Sequence, residues 1–157
     1  MYGHFWLIIH SNMEQIQLGD QIFRHDREQT VRAYAELKNG DAERCGCSYC
    51  RNFAAQRSTV YPENFRVLLD QLGIVLEKEG EVYECGSPEG SLRLYGGWFY
   101  FAGELIEPGE RMTDTGSGFQ YYFVDAKHLP KPHGNFGQNV MAVEFVTKLP
   151  WVIAEQP

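Results

Sequence analysis

YPENFRVLLDQLG, residues 61–73, is the stretch on which the reading of the fold turns. Pro62 suits a first helical position, where its missing N–H would lack a partner in any case. Phe65, Leu68, Leu69 and Leu72 recur at the spacing of one helix face, and Gly73 supplies the stop. The spacing predicts a helix that covers a core. Upstream, Asp26 with Gln29 three residues on has the form of a capping box, so a second helix is expected with Val31, Tyr34 and Leu37 on one face. Asn39-Gly40 is read as its stop, through the left-handed conformation that Gly reaches cheaply. Before it, EQIQLGDQIFRH alternates on either side of Gly19-Asp20 and predicts a type II′ hairpin, and Phe5–His10 reads as a short apolar strand.

Downstream the period changes to two. Strands are expected at Glu81–Cys85, Leu92–Ala102, Phe119–Val124 and Val140–Leu149, with HLPKPHGNFGQ (128–138) as a surface loop. Helices cluster early and strands late. That segregation predicts an α+β fold, its sheet mainly antiparallel, with two or three helices in the N-terminal half. No repeat or linker interrupts the chain, so residues 1–157 are read as one domain.

Composition narrows the function classes. With 43% hydrophobic, 14% aromatic and 22% charged residues, the chain has the makeup of a globular domain with a ring-rich core. Fourteen Lys and Arg against 21 Asp and Glu give a net charge of −7, which repels phosphate and argues against nucleic acid as a partner. Phe5 to Ile9 is too short for a membrane span and lacks the flanks of a signal peptide, so a reducing cytoplasm is the expected compartment. There, clustered cysteines are more often metal ligands or redox groups than structural disulfides.

RCGCSYCRNF, residues 44–53, holds three of the four cysteines. It follows the expected stop at Gly40 and precedes YCRNFAAQR, which reads as a short helix. Cys47 and Cys50, three apart, can face the same way at a helix start, whereas Cys45 cannot join them in continuous helix. Gly46 can supply the backbone turn that brings the third sulfur round. One reading is a metal site, zinc above all, with Cys45, Cys47 and Cys50 as local ligands and Cys85 as the fourth. His25, His128, His133 and Glu84 are chemical substitutes for that fourth position. A second reading is thiol redox chemistry, with a helix N-terminus, Arg44 and Arg51 lowering a thiol pKa. In a third, the thiols are reduced and inert, and the domain is a non-catalytic module whose acidic, aromatic surface binds a basic protein.

CGCSYCRNF, the 61–74 helix, EVYE, LYGGWFYFAG and the closing EFVTKLPWV together resemble the ordered blocks of an uncharacterised family of bacterial proteins, over about residues 44–152. The resemblance implies bacterial origin and one shared domain, and no reaction. Relatives can carry His near the positions of Glu84 and Tyr100, so the resemblance does not assign Cys85 as a family ligand.

Other motifs narrow the choice by what they lack. GERMTDTGSGFQ has neither a P-loop nor a dinucleotide fingerprint, so no nucleotide cofactor is expected. Ser117 is out of register for a nucleophile elbow. Gly96-Gly97 inside the aromatic strand is read as a β-bulge, with close approach of a ligand or another backbone as the alternative.

Overall fold

The computed structural model describes residues 13–87, 90–109 and 112–157. The expected strand at Phe5–His10 lies outside them. The architecture is α+β. Helices α1 (Arg27–Glu36), α2 (Asp41–Cys45), α3 (Ser48–Val60) and α4 (Glu63–Leu72) fall in the first half of the chain. The sheet is antiparallel throughout, from strands β1 (Glu14–Leu18), β2 (Gln21–His25), β3 (Glu81–Glu84), β4 (Arg93–Glu107), β5 (Thr113–Asp114), β6 (Gln120–Asp125) and β7 (Val140–Leu149). Its order is β1-β2-β4-β7-β6-β5, and β3 pairs with β4 beside β2. Among the described residues no helix is long and apolar enough to cross a membrane.

β4 is the spine. One edge runs against β7 from Arg93↔Leu149 to Ala102↔Val140, while the other takes β3 at Tyr95–Trp98 and β2 at Gly103–Glu107. Between those two partners the backbone at residues 99–102 faces no strand, and α1 satisfies it. The Tyr34 hydroxyl donates to Tyr100 O at 2.8 Å, Ala102 N–H donates to Thr30 Oγ1 at 3.0 Å, and Asp26 N–H donates to Ala102 O at 3.0 Å. A helix thus does for this edge what a strand would do, leaving none of these buried groups unpaired. That explains why the buried face of α1 is Thr30, Ala33 and Tyr34, while Val31, expected on that face, is 43% exposed.

Local signals are realised closely. Gly19 has φ +58° and Leu18 pairs with Gln21, giving the two-residue hairpin; Asp26 Oδ1 accepts from Gln29 N–H at 2.9 Å. α4 buries Phe65, Leu68, Leu69 and Leu72 and ends on Gly73 at φ +81°. Pro62 is its N-cap, one place earlier than expected. α3 and α4 cover one sheet face through rings: Tyr61 meets Phe145 edge-on at 5.5 Å, and Phe145 stacks on Phe119 at 5.6 Å. Each such pair adds about 0.5–1.5 kcal/mol beyond its buried area.

Two expectations are corrected. Gly40 is not a left-handed stop: its φ is −88°, and a Cβ there would lie 2.6 Å from Glu79 Oε1 and 2.7 Å from Glu77 O. Gly96 and Gly97 are not a bulge. They keep register with Val146 and Phe145, and side chains there would overlap the Tyr83 ring and the Glu81 carbonyl oxygen respectively. The irregularity in β4 falls instead opposite Ile22/Phe23. Loop 128–138 lies at the surface as expected, with Phe136 buried against Tyr34 and Tyr100.

Candidate metal centre

The cysteine segment is a helix–turn–helix corner. Cys45 ends α2, Gly46 turns the chain at φ +64°, and Cys47 caps α3, its Sγ accepting from Cys50 N–H at 3.5 Å. A residue with a Cβ would strain that left-handed position. Because of the turn, the sulfurs of Cys45, Cys47 and Cys50 all lie within 4.8 Å of one another. Zn–S bonds of about 2.3 Å in a tetrahedron place sulfurs about 3.8 Å apart, so at most a shift of about 1 Å would close the trio on an ion. The cluster could hold a metal.

α2 is far too short to be stable alone, and its anchors set where Cys45 sits. Asp41 N–H donates to Glu79 O and Asp41 Oδ2 accepts from Val82 N–H, each at 3.0 Å. Ala42 N–H donates to Glu79 Oε1 at 3.0 Å. From α3, Arg57 reaches Glu43 at 2.5 Å and 3.0 Å and Glu79 at 2.7 Å. The Glu79 side chain is fully buried. Burial raises its pKa above the usual carboxylate value despite the Arg57 charge, while for Arg57 its two carboxylates outweigh burial and raise the guanidinium pKa. This ion network ties α2, α3 and the start of β3 into one corner. It was missed in the sequence, although Cys50, Phe53, Arg57 and Val60 recur at helical spacing and a charge on a buried stripe demands a partner.

The thiols differ in environment. Cys45 and Cys47 are exposed and Cys50 is buried. Slight burial works against ionisation of Cys47, but the Cys50 backbone N–H and the neighbouring thiols hold its pKa below the ordinary value. For Cys50, burial first and then the other two sulfurs push it far up. Neither arginine expected to act here does so. Arg44 donates to Asn39 O and lies 3.9 Å from Asp41, and Arg51 bonds Gly46 O and Glu155.

The trio borders a cleft of about 240 Å³ whose other walls are Tyr49, Val82, Tyr83, Glu84 and Tyr95. Glu84 Oε1 accepts from Gly86 N–H at 2.7 Å and from Arg93 at 3.1 Å, and the Arg93 guanidinium lies 5.4 Å from the ring centroids of both Tyr49 and Trp151. Cys85 stands exposed just past β3 and does not line this cleft. Among the described residues no fourth His, Cys, Asp or Glu joins the three sulfurs within 4.8 Å. His25 is buried in β2, and His128 and His133 are exposed on the 128–138 loop and do not line this cleft. No family model, curated protein or solved structure matches the chain.

Proposed function

We propose that this is a zinc-binding domain of the reducing cytoplasm in which Cys45, Cys47 and Cys50 are protein ligands and the ion braces the α2–α3 corner over β3. The convergence of three sulfurs carries the reading. Thiolate ligands in a tetrahedral arrangement favour zinc among the common divalent ions. The test is metal and thiol analysis of untagged protein purified under reducing conditions. About one zinc per chain, three thiols protected until a chelator is added, and loss of the zinc in each of Cys45→Ser, Cys47→Ser and Cys50→Ser are expected. Cys85→Ser measures whether that sulfur takes part. Absence of metal with all thiols titrating at once would refute the reading.

One observation favours a second reading. Cys47 is an exposed helix cap with a lowered pKa beside a buried Cys50, the asymmetry a dithiol reductant uses. In that reading the Cys47 thiolate attacks a substrate disulfide and expels one thiolate. Cys50 then loses its proton and attacks the Cys47 sulfur, expelling the second; two electrons pass to the substrate and a Cys47–Cys50 disulfide remains. Metal-free protein in which Cys47 alone is alkylated rapidly at neutral pH would select it.

A further inference from the structure

We propose that the fourth coordination position of the zinc faces the Tyr49–Tyr83–Tyr95 cleft and takes a small thiol with an apolar body, bound as its thiolate. This rests on the reading of Cys45, Cys47 and Cys50 as ligands. Structural zinc sites close with four protein donors, whereas sites that engage a ligand keep three and leave one position open. The described residues supply three sulfurs within 4.8 Å and no fourth donor. Those sulfurs border a cleft rather than packed core, and two of the three cysteines are exposed.

The walls choose the ligand. At about 240 Å³ the cleft is smaller than the ~300–1,000 Å³ of drug-sized sites, so it suits a compact molecule. Tyr49 and Tyr83, half-buried, offer aromatic surface to the body of such a molecule, with Val82 and Tyr95 buried beneath them. Its donor atom should be soft, matching a thiolate-bound ion. Glu84, the acidic residue of the cleft, accepts from both Arg93 and the Gly86 N–H on Oε1. Glu84 is a wall held in place, and Arg93 behind it lessens the negative charge that a fourth sulfur brings. On binding, the thiol gives its S–H proton to solvent, its sulfur forms the fourth bond to zinc and a water molecule leaves that position. No electron is transferred.

The experiment uses the full chain loaded with cobalt(II) in place of zinc, titrated with benzyl mercaptan and followed by thiolate-to-cobalt charge-transfer absorption. Before titration the intensity should correspond to three sulfur ligands, in wild type and Cys85→Ala alike. Saturation with thiol should raise it by about one third as a fourth sulfur joins. Benzyl mercaptan should bind roughly tenfold tighter than 2-mercaptoethanol through its ring. Equal affinity would overturn the role of the aromatic walls and with it the proposal. Four-sulfur intensity before any thiol is added, falling to three in Cys85→Ala, would overturn the open position while leaving the zinc reading intact. Failure of cobalt or zinc to bind one per chain would remove both.

Discussion

Replacing Arg57 by Ala should destabilise the protein by about 3–5 kcal/mol near neutral pH, the cost of leaving a buried charge without its partner. In the intact protein Glu79 Oε1 receives two bonds, from Arg57 and from Ala42 N–H, while Oε2 is buried with no protein partner. Without Arg57 only backbone N–H groups, that of Ala42 and its own, remain to offset burial, and the Glu79 pKa, already raised, must climb further. A carboxylate whose folded pKa exceeds its unfolded value stabilises the fold below the unfolded value, and that contribution is lost as pH rises through the folded one. The penalty of Arg57→Ala should therefore be smallest near about pH 5 and grow towards about pH 7, by at most about 1.4 kcal/mol per pH unit for the one proton involved. Urea denaturation of both proteins across that range reads the difference directly. Adding Glu79→Gln should recover part of the loss at neutral pH and abolish its pH dependence. A penalty below about 1 kcal/mol, or one that does not change with pH, would show that Glu79 is not a buried charge and would refute the ion-network argument.

Tyr34→Phe removes the donor that pairs Tyr100 O on the open edge of β4, and should cost about 1–3 kcal/mol in urea denaturation. A loss below about 0.5 kcal/mol would mean that the edge does not depend on α1. Gly97→Ala and Gly40→Ala should each lower stability by about 1–3 kcal/mol through overlap rather than backbone strain, since neither has a positive φ. Wild-type stability for Gly97→Ala would refute the close approach of Glu81 O. His25 is fully buried, and burial lowers its pKa although Glu14 and Asp26 pull it up and Arg27 adds to the lowering. Its contribution to stability is present above the unfolded value of 6.5 and is lost as pH falls through the lower folded value. His25→Leu should accordingly flatten the decline of the urea midpoint below about pH 6, and an unchanged slope would count against it.

What could be read in the sequence divides by range. The hairpin at Gly19-Asp20, the Asp26 cap and the α4 stripe ending on Gly73 were legible because each is decided by residues a few positions apart. Gly40, Gly96 and Gly97 were misread for the opposite reason: each is Gly because something far along the chain occupies the place of its side chain. The same holds for Arg57 with Glu79, and for the α1 side chains that finish β4. The candidate site shows both behaviours. Cys47 and Cys50 follow from helix spacing and the Gly46 turn from the need to bring Cys45 round, but the cleft beside them comes from β3, whose Val82, Tyr83 and Glu84 line it while Cys85, just past the strand, does not.

The corner also explains why three sulfurs meet where no single helix could bring them together. Cys47 caps, and Cys50 lies in, the first turn of a thirteen-residue helix whose own hydrogen bonds fix their spacing. Cys45 belongs to five residues of α2 that cannot hold helical form unaided. It reaches the other two because Asp41, Ala42 and Glu43 are tied to Val82, Glu79 and Arg57. An ion bound to all three sulfurs would join that marginal turn to the helix by a second route, so metal and ion network must reinforce one another. By reciprocity, a change that loosens Glu79 should weaken metal affinity, and removing the metal should release α2 before it disturbs α3.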